Sequence, residues 1–451
     1  MAFTAFDSAI TGALLSDAET AAQFDDARVV RAFLRVEAAL ARAQAAIGAI
    51  PAQAGTRITQ ISADFELPPE TLREGTAQDG IPIPTFVAAL RSAVGPDVAS
   101  YVHLGATSQD IMDTGLVLRL RDVFDLHERR LIALGHRLVT VSRAHATTPM
   151  AARTRMQQAS PTSFGLKTAG WLAALTRHLQ RLAELRKRTL VLSLSGAAGN
   201  MAAFGPDAAT IERTVAQDLN LAVSPAPWHS LRDNLGETAG WFALVTGTLG
   251  KIGEDLVLLA QNEVAEIRLA AGGGSSTMPN KANPVLAETL VALARHNAAA
   301  LGGFHQSVLQ SHERGGAGWT LEWMVLPQMA VAAGAALQHF DTLLNQMQVD
   351  EARMLGTIHA SKGLLLAEAV SFALSEHMPR ADAITLTKKA CGIAAEENTD
   401  LFEVLPRILN PALSRKIAWQ DLRNPARHLG QSNALINRIV ESFQAVACKT
   451  C

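Results

Sequence analysis

Between about residues 113 and 350 the chain is written as a succession of very long helical stretches. They run from Thr114 to Thr147, Pro161 to Leu192, Leu231 to Leu269, Pro284 to Ser311 and Leu321 to Met347. Such lengths, roughly 27 to 39 residues, are far above the mean of about 11–12 for helices in globular proteins. A helix of that length carries an apolar stripe that its own propensity cannot stabilise in water, so other helices must cover it. The expectation is a bundle of parallel and antiparallel helices. Spacing alone leaves open whether the covering helices come from the same chain or from another copy.

The flanking regions are also helical but more broken. Phe24 to Ile47 is amphipathic, with Val29, Phe33, Val36, Leu40 and Ala43 at three- and four-residue steps and Gly48 and Pro51 ending it. Beyond Asp350, Glu351 to His377 and Ala381 to Glu397 read as helices, and Asn410-Pro411 and Asn424-Pro425 interrupt the tail. The chain therefore reads as all-α in three mainly helical domains: 1–112, a central long-helix bundle over 113–350, and 351–451. Alanine and leucine dominate, aromatics are 5% and Tyr101 is the single tyrosine, which favours helix over sheet. A net charge of −2 argues against nucleic acid and anionic membrane as partners. No apolar run in the sequence approaches the roughly 18 residues that span a bilayer. Cys391, Cys448 and Cys451 fit neither a disulfide framework nor a zinc site, and the N-terminus lacks a secretory pattern, so a reducing cytoplasm is the expected location.

The candidate chemistry lies in polar clusters at the ends of the long stretches. Gly272 to Pro284 holds three glycines, two serines, a lysine and two prolines between helical regions. Glycine and proline make it a loop, and its hydroxyls, ammonium and amide suit an oxyanion and a moving proton. A second cluster, His103 to Thr114, leads into the first long helix. Ser108, Asp110 or Asp113 can cap that helix, and a helix N-terminus favours an anion. A third cluster runs from Arg153 to Pro161.

Three of these segments resemble the signatures of the fumarase/aspartase superfamily. Gly274-Ser275-Ser276-x-Met278-Pro279-x-Lys281-x-Asn283-Pro284 is similar to its signature loop, with every fixed position filled. Gly105-x-Thr107-Ser108-x-Asp110-x-x-Asp113-Thr114 resembles its first conserved region. Arg153-Thr154-Arg155-x-Gln157-x-Ala159-x-Pro161 resembles its second, except that Arg155 stands where a histidine is usual. An arginine stays protonated and is no ordinary acid, but it can clamp a carboxylate with two parallel hydrogen bonds. His312-Glu313-Arg314, Trp319, Glu322-Trp323 and Trp228-His229-Ser230 resemble the carboxymuconate cycloisomerase branch, as does the helix Arg31 to Gln44. Asn234 departs from that branch's pattern, where arginine is common.

The resemblance implies a twenty-helix core in a homotetramer, with each active site assembled from three subunits. It implies lactone closure of a carboxylated cis,cis-muconate by addition of a carboxylate to a double bond, through an aci-carboxylate that needs preorganised donors. Ser275 then matches the general acid/base and His103 is a second catalytic candidate. Substrate contacts fall to Thr107, Ser108, Arg155, Gln157, Ser276, Met278, Lys281, Asn283 and Arg314. The substrate is a small tricarboxylate, and no metal or organic cofactor is required. Rival expectations are a cycloisomerase for the sulfonated analogue, a β-elimination enzyme like adenylosuccinate lyase, and a non-catalytic structural protein on the same fold.

Overall fold

The computed structural model describes residues 4–269, 273, 274, 278 and 281–448. The described chain is dominated by helices, the longest being Ser108–Ala144, Phe164–Thr189, Asp233–Ala260, Val285–Ser307 and Gly316–Gln346. Strands are confined to short two-stranded pairs. The all-α class expected from composition and helix length is what the chain adopts.

The chain divides into two compact units. The first comprises residues 1–131, 178–250 and 291–338. Its core is built where the amphipathic helix Asp26–Ala46 buries Phe33, Val36, Leu40 and Ala43, the stripe visible in the sequence. Helices Ala52–Asp64 and Ile83–Val94 add Ile58, Phe86 and Leu90 to the same core. A buried polar knot ties down the N-terminal segment. Asp17 accepts from Thr20 N and caps the helix Ala18–Ala21, and Arg130 grips both of its oxygens. His127, wholly enclosed beside this pair, has its pKa pushed by burial down to about 3, so it packs as a neutral ring.

The second unit comprises residues 132–177, 251–290 and 339–451. Helices Ala367–Ser375, Arg380–Glu396 and Leu401–Ile408 pack around Val370, Leu374, Ala390 and Leu405. It also carries the hairpin Pro149–Thr154/Gln157–Ser163, paired from Thr154↔Gln157 outwards with an irregularity between Ala151 and Arg153.

Three expectations about element boundaries are corrected. Pro161 does not open a helix but lies in the second hairpin strand, and the helix begins at Phe164, where Ser163 Oγ accepts from Leu166 N at 3.1 Å. The stretch Leu231 to Leu269 is not one helix. The helix ends at Ala260, Ala265 takes a left-handed φ of 51°, and Ile267–Leu269 pairs with Met347–Val349. The stretch Glu351 to His377 breaks where Lys362 and Gly363 take φ of 50° and 83°. Contrary to the expectation from apolar runs, the helix Gly316–Gln346 is long and apolar enough to cross a membrane, yet 61% of its 18-residue apolar stretch is buried within the protein.

Candidate active site

In the first unit the polar cluster His103–Thr114 is organised by one carboxylate. Asp110, the third residue of the helix Ser108–Ala144, is fully buried. Its Oδ2 accepts from Thr107 N at 2.9 Å, half of a capping box. The same carboxylate accepts from Ser195 N at 2.8 Å and Gly196 N at 3.0 Å, and His229 Nε2 lies 2.8 Å from its Oδ1. One turn further, Thr114 Oγ1 donates to Ser193 O and accepts from Ser193 N. Two side chains at i and i+4 thus pin the irregular segment Ser193–Gly196 along the first turns of the helix. The half-buried Thr107 and Ser108 stand at the helix N-terminus, where backbone N–H groups and the macrodipole favour an anion.

Gln109 carries the cluster further. Its Nε2 donates to His229 O at 2.9 Å, and its Oε1 accepts from Arg314 Nε at 2.8 Å. Arg314 also reaches Ala197 O at 3.3 Å. The structure therefore joins Arg314 to Gln109, 205 residues apart in sequence.

His103 sits at φ 63°, with its Nδ1 2.6 Å from Glu37 Oε1, a buried carboxylate on the helix Asp26–Ala46. Gly105 holds φ 80°, and a Cβ there would lie 2.8 Å from the Phe204 ring, so glycine is needed both for the dihedral and for the space.

Behind the helix start lies a second buried network. Arg232 donates to Asp113 from Nη1 at 2.6 Å and Nη2 at 3.0 Å. It donates to Glu322 from Nε at 2.8 Å and Nη2 at 2.6 Å. Trp319 Nε1 adds a bond to Asp113, and the guanidinium stacks 4.9 Å from the Trp228 ring centroid. Burial alone would lower the Arg232 pKa, but the charges and bonds of Asp113 and Glu322 hold it above its ordinary value. Burial pushes the Glu322 carboxyl up, with the bond from Arg232 opposing. This arrangement locks three separate segments around the helix start.

In the second unit Arg155 and Met156 form the two-residue tip of the hairpin, with φ of 51° and 64°. Such tips usually take asparagine and glycine, so two bulky residues there store strain. Arg155 and Gln157 are exposed. The hairpin base is fixed by Arg153, which makes a bidentate pair with the fully buried Glu266 at 2.7 and 2.8 Å. Gly273–Gly274 pairs with Ala282–Asn283 and closes the base of the signature loop. Lys281 and Met278 are exposed and Asn283 is partly exposed. Ser275 and Ser276 lie outside the described residues.

Among the described residues no group of three or more His, Cys, Asp and Glu side chains is placed to hold a metal ion. Sequence reasoning missed the organising roles of Gln109, Asp110, His229, Arg232 and Glu322. For part of it the signal was present, because Asp110, His229 and Glu322 stand in the motifs quoted above.

A family model described as a lyase matches residues 13–296. The chain belongs to this lyase family. A Pseudomonas aeruginosa relative named 3-carboxy-cis,cis-muconate cycloisomerase is 40% identical over 434 residues, covering 94% of each chain. The solved 3-carboxy-cis,cis-muconate lactonizing enzyme from Pseudomonas putida matches with TM-score 0.91 and 38% identity, over 97% of this chain and all of that one (100%). A fumarate lyase structure from Mesorhizobium sp. BNC1 matches with TM-score 0.89 and 35% identity, over 95% of this chain and 98% of that one. The lyase-family chain is thus an enzyme with the fumarase/aspartase-like all-α fold.

Proposed function

We propose that this lyase-family enzyme is a 3-carboxy-cis,cis-muconate cycloisomerase. A substrate carboxylate adds to a conjugated double bond, and the carbon beside another carboxylate gains a proton, giving 4-carboxymuconolactone. The observation that carries the reading is the match, across nearly the whole chain, to relatives bearing that name. The site geometry supports it, because the reaction needs several anchors for a trianion and a cradle for an aci-carboxylate. Thr107 and Ser108 at a helix N-terminus, with Arg314 held beside them by Gln109, suit one carboxylate. Arg155 at the hairpin tip suits a second, and Gln157, Ser276, Met278, Lys281 and Asn283 complete the contacts. Ser275 carries the proton, its alkoxide stabilised by loop N–H groups and Lys281 once the loop closes. His103, oriented by Glu37, is the second proton carrier. No metal or organic cofactor enters this scheme.

The same reading includes a cytoplasmic homotetramer with active sites shared between subunits, and domains divided near 113 and 351. Exposed apolar residues on long helices, Leu244 and Met324, at 52% and 62% exposure, support burial against other copies.

The test is loss of diene absorbance from 3-carboxy-cis,cis-muconate by the purified protein without added metal. Rapid loss with appearance of the lactone is expected, and silence towards this substrate sinks the proposal. Faster turnover of the 3-sulfo analogue moves the chain to that branch. The similarity to a fumarate lyase favours elimination as the second reading. Release of fumarate from a succinyl adduct such as adenylosuccinate, without lactone formation, would select it.

A further inference from the structure

The first unit contains a cavity of about 600 Å³ that the proposed reaction does not use. Its wall is aromatic and aliphatic: Phe24, Phe33, Trp319 and Trp323, with Val29 and Leu116. Trp319 and Trp323 meet edge to face at 5.1 Å. A volume of this size with apolar walls and few polar groups is what small-ligand sites have.

Its polar groups are unequal. Asp113 and Glu322 face the cavity, but Arg232 binds both carboxylates and Trp319 N–H binds Asp113. Asp26, Glu70 and Arg73 are exposed at the rim. Arg119 is different. Its Nε donates to Gly115 O of its own helix at 3.2 Å, and its guanidinium lies 5.7 Å from the Phe24 ring centroid. Among the described residues no carboxylate comes within 4 Å of it, the reach of an ion pair. Burial without a compensating charge lowers its pKa to about 10. Arg119 is half-buried, and a guanidinium that keeps N–H groups without a protein partner is satisfied by a carboxylate in a bidentate pair.

We propose that this cavity is a binding site for a small aromatic monocarboxylate, with the carboxylate on Arg119 and the ring among Phe24, Trp319 and Trp323. Arg119 is the guanidinium set against an aromatic ring, with Arg73 at the exposed rim, so a carboxylate carried on a ring is preferred to a phosphate dianion. The site is separate from the candidate active site. Arg119 is eleven residues along the helix from Ser108, about 16 Å at 1.5 Å per residue. The inference does not depend on which reaction the enzyme catalyses.

The probe is benzoate, titrated into the intact protein while tryptophan fluorescence is recorded, with benzyl alcohol and inorganic phosphate alongside. Saturable quenching by benzoate, much weaker with the other two, is expected. Arg119→Gln should weaken benzoate at least about tenfold, equivalent to roughly 1.4 kcal/mol. Arg119→Lys should retain most of the binding, and both variants should keep wild-type turnover and helical circular dichroism. Equal benzoate binding by Arg119→Gln would assign the ligand to another site, the Thr107–Arg314 cluster included, and overturn the proposal. Absence of saturable binding at roughly 10 mM, as when a second copy covers the cavity, overturns it as well. Loss of binding in both variants also counts against it unless their dichroism shows a folding defect. In that case Trp323→Ala, which opens the ring pocket without touching Arg119, must weaken benzoate for the proposal to stand.

Discussion

Replacing Arg232 by methionine removes four short charge-assisted hydrogen bonds and leaves the buried carboxylates of Asp113 and Glu322 on the cavity wall without their cation. Each such bond is worth about 1.5–3 kcal/mol gross, but burying three charged groups consumes much of that gain. What the single substitution costs is set by the two carboxylates it strands, about 3–5 kcal/mol at neutral pH. For a chain of 451 residues unfolding as one cooperative unit, about 2.1 cal/mol/K per residue converts this to a melting shift of roughly 3–5 °C. The deficit should depend on pH. Burial already raises the Glu322 pKa, with Arg232 opposing. A carboxyl with a raised folded pKa is most favourable below the unfolded carboxylate range and loses that contribution as pH rises through the folded value. Without Arg232 the Glu322 carboxyl moves higher, so the variant regains stability as pH falls from about 7 to about 5 and its gap to the wild type narrows. Calorimetry and urea titration at both pH values measure this. A triple variant with Asp113→Asn and Glu322→Gln should recover much of the loss, since no stranded charge remains. A single variant within about 1 kcal/mol of the wild type at pH 7, or a gap that widens on acidification, would refute the reasoning.

Gly105→Ala should destabilise the first unit by about 1–3 kcal/mol and raise KM, because it combines a left-handed φ with a Cβ 2.8 Å from the Phe204 ring; melting and steady-state assays report both. Ser275→Ala should lower kcat by at least about a hundredfold while helical content and oligomeric state stay unchanged, and near-normal turnover would remove Ser275 from the proposed chemistry. Arg155→His should raise KM about tenfold or more at pH 8, where the imidazole is neutral, with the deficit shrinking as the ring gains its proton near pH 6. An unchanged KM across that range would put Arg155 outside the site.

Much of the architecture was legible because helix formation is local. The stripe Val29, Phe33, Val36, Leu40 and Ala43 became a helix facing a core, and each of the five long stretches holds most or all of one of the long helices. The helix start was legible only in part: it was expected at Thr114, with Ser108, Asp110 or Asp113 as caps, and lies six residues earlier at Ser108, where Asp110 accepts from Thr107 N. Boundaries without local punctuation were not. Nothing in the residues 260–269 forbids a helix, and only pairing of Ile267–Leu269 with Met347–Val349 and of Glu266 with Arg153 draws the chain out of it.

The sequence by itself determined the helical class, the family and the residue types that serve the chemistry, because periodicity, caps and short motifs are readable over a few turns. Only the tertiary structure decided which of those residues act together. Arg314 meets Gln109, His229 meets Asp110, and Arg232 joins Asp113 to Glu322 across long separations. The unpaired charge of Arg119 among aromatic rings is likewise a product of packing. Hydrogen bonds and desolvation act over a few ångströms in space, and the fold alone sets which side chains come that close.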